Sequence, residues 1–191
     1  MKLFEMKLDE DAIANGVNAI SLVESPAIES NFIALKKEDL AKVEFATVDA
    51  EKRIIMGAVL IPEKPILRLD EQGEPFHIFF AHQTIRKASE LYLQRGLQSS
   101  ATLEHEINIQ GITLVESWIV EDSKLDKSHL YKLDAPLGSW VVSMKVMNDE
   151  IWNEYVKLGK VKGFSIEGFF TPEEQQPKKK AKLSMRIIKK L

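Results

Sequence analysis

Short apolar runs rich in β-branched and aromatic residues recur along the chain and predict a protein built mainly of strands. Residues 53–62 form one long run, and residues 111–122 and 138–146 have the same character. Turn-forming Gly, Pro and Asp residues separate the runs, as is typical of strands. Shorter stretches of this kind are residues 2–8, 18–25, 31–35, 42–48, 75–80 and 161–170.

Two segments follow the 3.6-residue period of a helix instead. Residues 82–96 place Ile85, Ala88, Leu91, Tyr92 and Arg95 along one side, and Gly96 is expected to end the helix. Residues 148–159 begin at an Asn cap and carry Ile151, Trp152, Tyr155 and Leu158 on the predicted inner face. Strands with two helices predict an α+β domain with a mostly antiparallel sheet or barrel.

The end of the chain differs in composition from the rest. The stretch PEEQQPKKKAK is polar and charge-blocked, so residues 1–172 are expected to form the domain and residues 173–191 a linker and tail. Residues 178–191 contain seven basic residues and no acidic ones. The rest of the chain contains 19 basic and 29 acidic residues, which gives it a net charge of −10. An acidic body argues against a nucleic-acid-binding domain, and only the tail is a candidate for such a contact.

Composition also limits the chemistry. The chain has no cysteine, which excludes a thiol nucleophile and a thiolate zinc site. It has four histidines, none with a second histidine at metal-ligand spacing, and it has no phosphate-binding glycine motif. We therefore expect neither a metal nor a cofactor. No run approaches the ~18 apolar residues of a membrane-spanning helix, and the N-terminus carries acids, so a soluble cytosolic protein is expected.

Two segments are candidates for catalysis. TLEHE contains His105 among carboxylates, which suits a general base but also fits a surface histidine at a strand end. GFSIEG contains Ser165 between two glycines, which would allow a substrate backbone to come close. Its spacing differs from the G-x-S-x-G nucleophile elbow, so a cytosolic esterase is disfavoured and an ordinary strand serine stays open.

Taken together, TLEHE, VESWIVED, GSWVVSMKV and VKGFSIEG resemble the XkdF-like phage proteases over about residues 53–170. These belong to the prohead (procapsid) serine proteases, which are similar in fold to the herpesvirus assembly protease. The resemblance implies a small β-barrel flanked by helices, with His105 as general base and Ser165 as nucleophile. The histidine and the serine are expected on two different strands.

The N-terminal segment ISLVESPA resembles a stretch that follows the serine in many prohead proteases, which suggests a circular permutation. In the family a Glu at the start of this stretch is commonly assigned as the third triad member. Alignment places Ala19 at that position, and alanine cannot orient an imidazole. Either another residue replaces the Glu, or the enzyme works as a Ser-His dyad that becomes active on assembly or dimerisation.

Several carboxylates could supply the third member. Glu116 is the preferred candidate, and water is an alternative. Glu167 follows Ser165 by two residues and therefore shares its face of the strand. The other candidates are Glu24, Glu104 and Glu106. For the oxyanion hole the same alignment favours the backbone N–H groups of Ala27 and Ile28, unless this segment is only a strand-ending turn.

The resemblance implies a phage maturation protease that acts inside the procapsid in the host cytoplasm, or in the cytoplasm of a bacterium carrying the prophage. Its expected substrates are the scaffold protein, segments of the major capsid protein and the protease itself. A homodimer is expected by analogy, with no membrane or specific nucleic-acid partner. The alternative, which Ala19 favours, is a non-catalytic capsid-assembly or tail-tube-like protein on the same barrel.

Overall fold

Strands dominate the structure, a computed structural model that describes residues 2–9, 15–28, 33–34, 52–122, 124–133 and 135–175. Two α-helices are described, α1 (His82–Gln94) and the short α2 (Lys127–Leu130), with one π-helix, Ile151–Val156. The strands are β1 (Leu3–Lys7), β2 (Gly16–Val23), β3 (Ile33–Ala34), β4 (Ile54–Leu60), β5 (Ile66–Leu69), β6 (Pro75–Phe79), β7 (Ala101–Leu103), β8 (Ile107–Ile109), β9 (Ile112–Ile119), β10 (Trp140–Val146), β11 (Gly163–Phe169) and β12 (Thr171–Glu174).

The described strands form three four-stranded sheets, in the orders β12-β1-β6-β5, β3-β4-β10-β9 and β11-β2-β7-β8. Pairing is antiparallel except between β1 and β6 and between β2 and β7. The α+β class is therefore confirmed, with mostly strands and few helices. Among the described residues the sheets do not close into the predicted barrel.

Most predicted elements are present, with shorter bounds. The structure adds β5, β8, β12 and α2, which the sequence pattern did not indicate. The candidate strand at residues 42–48 lies outside the described residues, as does the chain beyond residue 175. The boundary predicted between residues 172 and 173 falls within β12, which pairs with β1 from Phe4↔Glu174 to Lys7↔Thr171.

The buried apolar residues that the structure describes form one core between the sheets and α1. Its largest fully buried side chains include Trp140, Trp152, Tyr92 and Phe164. The Tyr92 and Trp140 rings meet edge to face with centroids 5.6 Å apart, and burial raises the pKa of the Tyr92 hydroxyl. In the part of the chain that the structure describes, no helix has the length and apolar character needed to cross a bilayer.

The second predicted helix differs from expectation in its winding. Asn148 caps it as predicted, since its Oδ1 accepts a hydrogen bond from the Ile151 N–H at 3.0 Å. The segment then winds as a π-helix, in which the Lys157 N–H donates to the Trp152 carbonyl. Because a π-turn contains more residues than an α-turn, the buried face moves to Val156, and Leu158 is 62% exposed.

Candidate active site

Ser165 lies on β11, where strand pairing brings polar side chains to one face of a sheet. Ser165 pairs with Ser21 of β2, and Ser21 pairs in turn with Thr102 of β7. Side chains alternate between faces along a strand, so these three project from the same face. On the opposite face, apolar residues such as Phe164 enter the core. Ser165 is 8% exposed, whereas Ser21 is fully buried.

His105 lies in the turn between β7 and β8, not on a strand as the resemblance implied. Both Glu104 and His105 have left-handed backbone conformations, with φ of 51° and 62°. Non-glycine residues adopt this conformation at a cost, and such strain is concentrated at functional sites. The His105 N–H donates to Ser21 Oγ at 3.0 Å, and Glu104 Oε1 accepts from the Glu24 N–H at 2.7 Å. These bonds hold the turn against β2.

Glu167 is the carboxylate that contacts the His105 imidazole. Its Oε1 lies 3.2 Å from His105 Nδ1, and the Thr102 hydroxyl donates to the same oxygen. The His105 and Glu167 side chains are 40% and 34% exposed. Glu167 also pairs directly with Ala19 across β11 and β2. The carboxylate therefore lies opposite the position where the family Glu was expected.

Glu116 lies in a different sheet, on β9. Both of its oxygens are 2.5 Å from Lys127 Nζ, and one also accepts from the Ser143 hydroxyl. Although burial alone would raise it, these hydrogen bonds from Lys127 and Ser143 lower the pKa of Glu116. The structure thus gives Glu116 partners of its own and does not bring it to His105.

The other acidic candidates have different positions. Glu104 bonds the backbone of Glu24, and the Glu24 carboxylate lies 3.3 Å from Lys162 Nζ. Glu106 is exposed in the same turn as His105. Glu167 is therefore the acidic candidate for which the structure gives a hydrogen-bonding distance to the imidazole.

Ala27 and Ile28, the oxyanion-hole candidates, line the same cavity as Ser165 and Glu167. They lie in the turn that follows β2, close to the β11 edge. The Lys64 ammonium donates to the Ile28 carbonyl and fixes one end of this turn. The donor role of the Ala27 and Ile28 N–H groups stays a prediction.

The other histidines lie elsewhere. His77 is on β6, His82 opens α1 beside Gly138, and His129 is exposed in α2. Among the described residues, no group of three His, Asp or Glu side chains is placed to hold a metal ion. Sequence reasoning did not identify Ser21 and Thr102, because their roles depend on strand pairing.

Comparison with known proteins adds two matches. Residues 42–174, more than half of the chain, match the family model described as "Putative phage serine protease XkdF", and this range includes His105, Ser165 and Glu167. The chain is 24% identical over 172 residues to the "Phage-like element PBSX protein XkdF" of Bacillus subtilis (strain 168). That alignment covers 86% of this chain and 56% of the relative, so the chain spans about half of the relative's length. No solved structure matches the chain significantly.

Proposed function

Because the chain belongs to the family of phage serine proteases related to XkdF, we propose that it is a serine endopeptidase. The observation that supports this most directly is the 3.2 Å contact between His105 Nδ1 and Glu167, with Glu167 two residues from Ser165 on one strand. A serine, an imidazole and a carboxylate that orients the imidazole are the three parts of a nucleophilic triad.

Each residue of the proposed triad has a distinct role. The Nδ1–H of His105 donates to Glu167, which leaves Nε2 as the base. Ser165 Oγ attacks the scissile carbonyl while its proton passes to His105 Nε2. His105 then protonates the leaving amine, and water releases the acyl group from Ser165 by the same steps in reverse. Ala27 and Ile28 are the proposed N–H donors to the oxyanion.

The position of Glu167 also weakens the case for a non-catalytic protein. That alternative rested on Ala19, which removes the carboxylate that the family has on this strand. Directly opposed residues of an antiparallel pair have Cβ atoms only about 4.5–5.5 Å apart. A carboxylate at Glu167 can therefore approach the imidazole from the neighbouring strand. In this proposal the triad acid has moved to the strand of the nucleophile.

The proposed biological role is maturation of a phage procapsid. The proposed substrates are the scaffold protein, segments of the major capsid protein and the protease itself, cleaved inside the procapsid within the host cell. A homodimer and a fold related to the herpesvirus assembly protease belong to the same proposal. The family membership supports the role, and the contact between His105 and Glu167 supports the chemistry.

Co-expression with the scaffold and capsid proteins of the same phage tests this function. Wild type is expected to convert the scaffold to shorter fragments on a denaturing gel, whereas Ser165→Ala and His105→Ala leave it intact. Ser99→Ala and His129→Ala, at exposed positions outside the site, serve as matched controls and should cleave like wild type. Processing that persists in both site variants would contradict the proposal.

A further inference from the structure

A cavity of about 480 Å³ runs along β11 beside Ser165. The seven consecutive residues 164–170 all line it. Since neighbouring strand residues point to opposite faces, a cavity that touches every one of them must follow the edge of the strand. Within the described part of the chain, β11 is hydrogen-bonded to β2 on its other side. An extended peptide could therefore lie along this edge, as in β-strand addition.

The cavity is apolar at its inner end. Val59, Leu60 and Phe80 line it and are almost completely buried, and Ile66 of β5 is 4% exposed. At its outer end, Phe169 is 66% exposed and Arg68 is also exposed. An apolar side chain gains about 25 cal/mol for each Å² that it buries in such a site. A charged side chain would lose hydration at the inner end without a partner.

The size of the cavity indicates a large side chain. A volume of 480 Å³ lies within the range of about 300–1,000 Å³ that is typical of ligand-binding sites, and it is far larger than an alanine methyl group. A small side chain would leave space and forfeit the dispersion contacts of the lining. Ser165 and the proposed oxyanion residues Ala27 and Ile28 line the same cavity, so its occupant adjoins the reacting carbonyl.

We infer that this cavity binds the side chain of the substrate residue that contributes the scissile carbonyl, and that it selects large apolar side chains such as Phe, Leu or Met. The inference rests on the proposed function of Ser165. It adds a substrate class, namely extended peptide segments cut after a bulky apolar residue.

Peptidyl aminoalkylphosphonate diphenyl esters test the inference, because they bond covalently to a reactive serine and carry the selected side chain. Three probes that differ only in a Phe-, Ala- or Asp-type side chain are reacted with the full chain. The rate constant of labelling is measured by intact mass, and the adduct is mapped by peptide mass spectrometry. The Phe-type probe is expected to label Ser165 at least ~10-fold faster than the Ala-type probe.

Ile78 offers a variant that changes the cavity and leaves the proposed triad unchanged. It lies on β6, is partly buried and lines the cavity without belonging to the proposed triad. Ile78→Trp should fill the space and abolish the preference for Phe, while the Ala-type probe still labels. Leu67→Trp is the matched control, since Leu67 is 55% exposed on neighbouring β5 and outside the cavity lining. Its selectivity should equal that of wild type.

The possible failures are distinguishable. If Ser165 is labelled but the Ala- or Asp-type probe reacts as fast as the Phe-type probe, the inference is overturned and the proposed function stands. Unchanged selectivity in Ile78→Trp, with a wild-type circular dichroism spectrum, also overturns it. If no probe labels Ser165, the proposed function fails and the inference fails with it.

Discussion

Replacement of Glu167 by Gln removes the negative charge beside His105 and keeps the shape of the side chain. In the proposed mechanism His105 becomes an imidazolium when Ser165 attacks, and the Glu167 carboxylate stabilises that charge through the 3.2 Å contact to Nδ1. The amide of Gln cannot supply this stabilisation, and its NH₂ group can favour the wrong tautomer of the imidazole. We expect Glu167→Gln to fold normally and react more slowly.

The expected loss of rate follows from the strength of the hydrogen bond between His105 and Glu167 and from the exposure of the two side chains. A hydrogen bond to a charged group contributes about 1.5–3 kcal/mol. The two side chains are 40% and 34% exposed, so solvent screening reduces this contribution. A loss of about 1–2 kcal/mol in transition-state stabilisation corresponds to a rate lowered ~5- to 30-fold.

The assay is the rate constant for labelling of Ser165 by a fluorophosphonate, measured alongside scaffold cleavage. Glu106→Gln is the matched control, because it removes the same charge from an exposed residue next to His105 in sequence. Thermal unfolding establishes that both variants are folded. Equal labelling rates for Glu167→Gln and Glu106→Gln would refute the assigned role of Glu167.

Three further predictions concern Ala19, Glu116 and Gly168. The double variant Ala19→Glu with Glu167→Ala moves the carboxylate to the opposite strand of the pair. It should restore part of the labelling rate that Glu167→Ala alone loses. No recovery would contradict the proposal that Glu167 replaces the family Glu expected at position 19. Because hydrogen bonds lower the folded-state pKa of Glu116 below 4.5, its stabilisation is present at neutral pH and lost as pH falls through the lowered value. Glu116→Gln should therefore lower the free energy of unfolding, measured by urea titration, by at most ~1 kcal/mol at pH 7 and by less at pH 3. The rate of Ser165 labelling should not change. Slower labelling would restore Glu116 as a candidate for the third triad member. Gly168→Ala should destabilise the fold by about 1–3 kcal/mol, because its Cβ would lie 2.1 Å from the carbonyl oxygen of Gly16, and an unchanged melting temperature would contradict this.

Local patterns were sufficient to predict most of the fold. The apolar β-branched run within residues 53–62 forms β4, and Gly96, with φ of 71°, ends the segment that forms α1. Asn148 caps the second predicted helix. The π-helical winding could not be predicted from a 3.6-residue period, so Leu158 was wrongly assigned to the buried face.

The site was predictable only in part, because it depends on contacts that are distant in sequence. The two-residue spacing of Ser165 and Glu167 predicts a shared face of one strand. Which carboxylate meets His105 depends on β2 pairing with β11 on one side and β7 on the other. The left-handed conformation of His105 places it in a turn, and no local pattern of glycine or asparagine indicates it. Glu116 was preferred without knowledge of Lys127, which is its partner.

The most direct test of the account is the identity of the residue that a fluorophosphonate modifies. The wild-type chain is labelled, digested and mapped by mass spectrometry, with Ser165→Ala and His105→Ala in parallel. We predict one adduct on Ser165, none in Ser165→Ala and strongly reduced labelling in His105→Ala. An adduct on another serine, such as Ser21, or labelling that does not depend on His105 would contradict the account.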